Sequence, residues 1–156
     1  MLTVAVMLLH VVAAVRAGEE PVAPYVQSDA NAGAKPFPDD RLWQAFHGSA
    51  GVSRIVDDLV ARSEKDARIS DIFRNQDMVR LRRTLKEQFC FVLGGGCTYT
   101  GREMKSAHKD MGIQRADMAA LVENLQAVMR AEHVPFAAQN RFLSKLAPMH
   151  RDVVER

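Results

Sequence analysis

In the segment Gly101–Ile113, GREMKSAHKDMGI, the residues Met104, His108 and Met111 recur at i, i+4 and i+7. On a helix that spacing places one imidazole between two thioethers on a single face. A ring nitrogen on an otherwise apolar row needs either a hydrogen-bond partner or a metal. Two readings therefore stand side by side, a satisfied core histidine and a metal ligand. His10, His47, His133 and His150 lack such apolar flanks. Cys90 and Cys97 flank the run Gly94-Gly95-Gly96. With no third or fourth ligand nearby they make no metal site. A chain folding back at the glycines would bring them within disulfide range. The alternative is a buried Cys90 beside an exposed Cys97, both reduced.

The elements that position these residues are helical. At 156 residues and 47% hydrophobic content the chain supports one domain with one core. A net charge of +2 is spread along the chain rather than gathered into a basic stripe, which argues against nucleic acid as a partner. No period-2 run is present. Ser49 is placed to cap a helix with Val52, Ile55, Val56, Leu59 and Val60 inward. Asp77 caps a second, with Met78, Leu81, Leu85, Phe89 and Val92 inward, Thr84 and Gln88 on one border, and Arg82 and Lys86 on the other. Arg80 and Arg83 point away, and RLRR reads as a solvated face. The glycines at 94–96 end that helix. A short helical segment near 102–110 stops at Gly112. A long helix follows with Met118, Leu121, Val122, Leu125, Val128 and Met129 inward. Pro135 fits the first turn of a last helix that Pro148 kinks or ends.

Residues 2–15, LTVAVMLLHVVAAV, form an apolar run too short to span a bilayer. VRA at 15–17 offers a cleavage site before Gly18, so residues 1–17 read as a signal peptide and the protein as exported or periplasmic, although no Lys or Arg precedes the apolar run. A cytoplasmic protein is the alternative. Residues 18–40 hold four of the six prolines and show no helical or strand period, so they read as a flexible tether. The folded domain is expected over 41–156.

In this order, GVSRIVDDLVARSEKDARISDIF, DMVRLRRTLKEQF and LGGGCTYTGREMKSAHKDMGI resemble the group 1 truncated haemoglobins from about Leu42 to Val153. The resemblance implies an all-α truncated globin fold, a two-over-two helical sandwich around haem b. It implies His108 as the proximal iron ligand and Phe73 packed on the haem. Met78, Leu81, Leu85, Phe89, Tyr99, Met104 and Met111 are the expected haem contacts, with Arg82 and Lys105 as candidates for the propionates. An axial histidine leaves the opposite face open to a diatomic gas, the expected ligand. A second axial histidine from 77–93 is ruled out, because none occurs there.

The sequence departs from the family on the ligand side. Where the family has a Phe-Tyr pair whose tyrosine donates to bound oxygen, this chain has Leu59-Val60. Where glutamines assist, it has Leu81 and Leu85. Thr84 lies on the flank and Gln88 one turn further on. His47 stands where the family has the first of two glycines. An apolar distal pocket puts tight oxygen binding and nitric oxide dioxygenation in doubt, since both stabilise partial negative charge on the ligand. Three functions follow as alternatives: reversible binding of oxygen, carbon monoxide or nitric oxide; nitric oxide dioxygenase or peroxidase chemistry with an electron donor that the sequence does not identify; and a haem-free helical interaction protein using the same groove.

Overall fold

The computed structural model describes residues 16–155, so the apolar run at 2–15 lies outside the described residues. Eight α-helices follow in order: α1 (Arg41–Ala45), α2 (Gly48–Lys65), α3 (Ser70–Phe73), α4 (Met78–Val92), α5 (Met104–His108), α6 (Arg115–Ala131), α7 (Phe136–Leu146) and α8 (His150–Val153). No strand occurs among the described residues. The helix α2 packs on both α4 and α6, and α6 packs on α7, giving the two-over-two arrangement.

The apolar faces read from the sequence meet in one main core. Ile55, Val56, Leu59 and Val60 of α2, Phe89 and Val92 of α4, Leu125 and Met129 of α6 and Phe142 of α7 are all buried there. Phe142 sits edge-on to Phe46 and Phe89, with ring centroids 5.1 and 4.8 Å away. Its ring ties α7 to both α1 and α4. A second, smaller core gathers Ala32, Tyr99, Met104, Ile113, Met149 and Val153.

The helix ends follow local chemistry. Asp77 caps α4, its carboxylate accepting from Arg80 N at 2.9 Å. Gly94 takes φ +83°, and Gly95 N closes the end of α4 on the Cys90 carbonyl at 2.8 Å. Gln114 and Asp117 form a reciprocal capping box at the start of α6. Ser49 does not cap α2. That helix begins at Gly48, with His47 before it in the left-handed region at φ 62°. Pro148 falls in a 3-10 turn, Ala147–Met149, that joins α7 to α8. Cys90 and Cys97 are bonded, with Cα atoms 5.7 Å apart, and close the turn after α4.

Residues 18–40 are not a tether. A 3-10 turn at Asp29–Ala32 packs under α5, with Ala32 wholly buried. Phe37 N donates to the Val92 carbonyl at 2.9 Å, and the Tyr25 hydroxyl donates to the Thr100 carbonyl at 2.6 Å. The segment also covers the outer face of α4, and that overturns the solvated reading of RLRR. Glu19 is buried and accepts hydrogen bonds from both Arg83 Nε and Arg83 Nη2, with Arg80 Nε 3.2 Å away. Glu20 N donates to Asp77 at 2.7 Å. The prolines suppress regular periods here, but they leave these non-local polar anchors intact.

The Glu19 carboxyl is held below the ordinary glutamate value, chiefly by the hydrogen bonds from Arg83 and then by the charges of Arg83 and Arg80. A depressed value means that the stabilisation is present above the unfolded-state value and is lost as pH falls through the folded one. Glu19→Gln is expected to cost about 1.5–3 kcal/mol at neutral pH, the range for hydrogen bonds to charged groups. The gap between variant and wild type should shrink below about pH 4. Thermal melts of both proteins across that range check this, and a gap undiminished at pH 3 would show that the carboxylate is not the anchor.

Candidate haem site

His108 ends the five-residue helix α5. Its Nδ1 lies 2.7 Å from the Met104 carbonyl oxygen, one turn back. A carbonyl only accepts, so Nδ1 carries the proton and Nε2 keeps its lone pair. The backbone bond also fixes the ring's rotation, which is the outer-shell support that a metal-bound histidine requires. Asp110 and Gly112 follow at φ 62° and 65°, so the chain turns away directly after the imidazole. Met104 is pressed from behind by the 3-10 turn, so closely that a Cβ on Gly33 would lie 2.9 Å from Met104 Cγ. Tyr99 is buried, donates to the Arg102 carbonyl at 3.1 Å, and receives close backbone contact from Gly101, where a Cβ would sit 2.1 Å from the phenol oxygen. Burial pushes the Tyr99 phenol up, so it stays a neutral donor.

A cavity of about 600 Å³ opens in front of His108. Leu59 and Val60 of α2 and Leu81, Leu85 and Phe89 of α4 contribute to its wall, together with Phe73 of α3. Met104, His108 and Met111 belong to the same wall, as does Tyr99. Only Met104 and His108 share the helix expected from the i, i+4, i+7 spacing; Met111 reaches the same wall from beyond the end of α5, past the left-handed turn at Asp110.

Two polar side chains that border the α4 face are already committed. Thr84 Oγ1 donates back along its helix, 2.9 Å from the Arg80 carbonyl and 3.2 Å from that of Leu81. Gln88 is buried. Its amide donates to the Ala32 carbonyl at 2.8 Å and lies 3.4 Å from Met104 Sδ. It fastens the 3-10 turn to α4.

Three expected contacts stand off the wall. Arg82 reaches to α2 instead, 3.2 Å from Glu64 and 3.6 Å from Asp57, while Lys86 pairs with Asp57 at 2.8 Å. Acids one helix away outcompete a rim position for these cations. Lys105 is exposed and is not among the residues that line the cavity. Met78 packs against the main core at the start of α4. Conversely, the wall includes Ser63, Ile72, Met149 and His150, which spacing alone did not single out, and Met118, which spacing placed inward without assigning it to the site. Met118 could have been found, since it lies on the inward row of α6. His150 could not, because the 3-10 turn at Pro148 resets the helical register before it.

The cavity suits a flat apolar macrocycle with one axial nitrogen ligand: aliphatic, aromatic and thioether side chains surround a single buttressed imidazole. Helices folded this way around such a hollow define the globin class. The bacterial-like globin profile matches residues 41–155. A group 1 truncated haemoglobin of Synechocystis sp. is 31% identical over 98 residues, which cover 60% of this chain and 79% of the relative. That of Tetrahymena pyriformis is 29% identical over 113 residues, covering 72% and 93%. The crystal structure of the Tetrahymena pyriformis truncated haemoglobin in its Fe(III) form superposes with a TM-score of 0.70 at 24% identity, over 74% of this chain and 98% of that one. A Synechococcus sp. 2/2 haemoglobin in the cyanomet state, with covalently attached haem, superposes at 0.68 with the same identity and coverage. The chain belongs to the bacterial-like globin family, as a truncated haemoglobin of group 1. Membership implies haem binding.

The role of Gln88 generates a test. Gln88→Leu leaves the buried Ala32 carbonyl without its side-chain donor and should cost about 1–3 kcal/mol of stability. Limited proteolysis should cut more readily near 29–33, while gas release should change little. A large acceleration of oxygen release with unchanged stability would mean that the amide serves the ligand instead.

Proposed function

We propose that this protein holds haem b through His108 and binds oxygen or another diatomic gas reversibly. The observation that carries this reading is the His108 imidazole, locked by the Met104 carbonyl with its second nitrogen free on the cavity wall. When bound, the haem supplies the iron to which a gas coordinates. The chain supplies the rest. His108 Nε2 would hold the iron. Phe73, Leu85, Phe89, Met104 and Met111 pack against the macrocycle, and the methionines adapt to its flat faces. Leu59, Val60, Leu81 and Leu85 keep water from the ligand side. Dioxygenase or peroxidase turnover needs polar groups aimed at the ligand. The commitment of Thr84 and Gln88 to backbone carbonyls supports binding over turnover.

Apoprotein titrated with haemin should develop a histidine-ligated Soret band. His108→Ala should lose it, while His47→Ala and His133→Ala should keep it; a wild-type-like ferrous spectrum in the His108 variant would sink the assignment. A second attachment is favoured by one observation. His150 is the other imidazole on the cavity wall, and a similar Synechococcus protein has its haem covalently attached. A ring nitrogen of His150 is the group we assign to such a bond here: it would add across a vinyl group of the haem, its proton passing to the neighbouring vinyl carbon. In acid acetone the haem should then stay with wild type and leave His150→Ala; complete extraction from both would leave His108 as the sole attachment.

The protein is further proposed to be exported, residues 1–17 being removed before Gly18. The Cys90–Cys97 bond supports this, because disulfides persist in oxidising compartments. Among the described residues no helix is long and apolar enough to cross a membrane. Intact-mass analysis of native protein should find a chain beginning at Gly18, heavier by two protons after reduction. A full-length chain with two thiols would overturn both points.

A further inference from the structure

Met104 has two connections at the head of α5. Its carbonyl accepts the hydrogen bond from His108 Nδ1 at 2.7 Å. Its side chain is buried against a segment that precedes residues 41–155, the part matched by the globin profile. The contact comes from the end of the 3-10 turn Asp29–Ala32. Gly33 closes that turn at φ +80°, and a Cβ there would lie 2.9 Å from Met104 Cγ and 3.2 Å from two carbons of Met149. Glycine alone combines that backbone conformation with that approach. The turn is fastened on both sides. The Ala32 carbonyl accepts from Gln88 Nε2 at 2.8 Å, and the same nitrogen lies 3.4 Å from Met104 Sδ. Asn31 Nδ2 donates to the Val26 carbonyl at 2.8 Å and to that of Gly101 at 3.2 Å, while Asp29 accepts from Tyr99 N at 2.8 Å. These bonds tie the turn to α4 and to the loop that leads into α5.

We propose that this N-terminal turn is a positioning element for the iron ligand: Gly33, acting through Met104, sets the hydrogen bond on His108 Nδ1 and with it the strength of the bond that Nε2 makes to iron. The inference rests on the haem reading of the cavity. A carbonyl that draws on Nδ1–H leaves more electron density on Nε2, so the outer hydrogen bond tunes the ligand. The five-residue helix α5 has no stiffness of its own, and its first residue goes where the packing behind it dictates. No residue before α2 lines the cavity. The turn therefore acts from behind the imidazole, and a change in its seating is transmitted to the iron without any contact with the bound gas.

The test compares wild type, Gly33→Ala, Met104→Ala, the double variant and Gly96→Ala, each as the full chain, haem-free and then reconstituted with haem and reduced. Gly96 also has a left-handed backbone, at φ +75°, but a Cβ there meets nothing within 4 Å, so its variant carries the backbone strain alone. In haem-free protein, solvent exchange of the His108 Nδ1 proton is read by NMR. With haem bound, the iron–histidine stretching band is read by resonance Raman. Gly33→Ala should speed the proton exchange, lower the stretching frequency and release haem up to about 10-fold faster. Gly96→Ala should match wild type in all three. In the Met104→Ala background Gly33→Ala should shift nothing further, because the side chain through which it acts is gone. Asn31→Ala loosens the turn without adding an atom and should move the band in the same direction, so it decides the matter if Gly33→Ala does not fold. With no Soret band in wild type the haem reading fails, and the proton exchange still decides whether Gly33 acts on the imidazole. An unchanged band and exchange rate in Gly33→Ala or Asn31→Ala, or an equal shift in both backgrounds, would overturn the proposal and leave the turn a role in stability alone.

Discussion

An apolar hollow of about 600 Å³ is the constraint around which this chain is organised. Its walls are largely apolar, so without an occupant they meet water at a cost. A large apolar group seated there would remove that cost, and its binding to the native state would add directly to stability. Leu59 and Phe89 of the main core and Tyr99 and Met104 of the smaller core all line the hollow, so a group bound in it would touch both cores.

The weakest wall is the one that carries the chemistry. A five-residue helix has no independent stability in water. The α5 helix is held from behind by Ala32, Tyr99 and Met149, and by the close approach of Gly33 to Met104. Gln88 ties the Ala32 turn to α4, and Asp29 accepts from Tyr99 N at 2.8 Å. The segment before the globin domain is therefore part of the support of the helix that carries His108. The disulfide adds to the same corner. Closing a seven-residue separation limits the unfolded chain by about 2.5 kcal/mol. It does so where the Gly94–Gly96 turn would otherwise be loosest.

What was legible in the sequence was what is local and periodic. The inward rows of α2, α4 and α6, the Asp77 cap and the glycine stop report structure within a turn or two, and the structure keeps them. The helical spacing marked Met104 and His108 as sharing a face, and α5 keeps that pair, whereas Met111 lies past the helix end. The N-terminal segment was not. Its anchors join residues 55 to 75 positions apart, Phe37 to Val92 and Tyr25 to Thr100 among them, and no window of sequence contains both ends. Amphipathicity also reports only that a face is polar, not that it is solvated. Arg80 and Arg83 are polar and still covered, because the buried Glu19 meets them there. For the same reason Arg82 looked free for a propionate while Glu64 and Asp57 on α2 lay within reach.

The polarity of the ligand side follows from competition for donors rather than from a count of polar residues. Thr84 and Gln88 both border the cavity, and each is drawn to a backbone carbonyl, Thr84 to those one turn back on α4 and Gln88 to that of Ala32. A carbonyl one turn back is always present on a helix, whereas a ligand is present only when bound. A hydroxyl or amide with access to both is taken by the permanent acceptor. A donor remains available to the ligand only where the fold leaves it unsatisfied, and that carries a standing cost in the unliganded protein. Val60 and Leu81 avoid the cost by having no donor at all. Side chains of that kind need no partner in the unliganded protein, and they offer none to a polarised ligand.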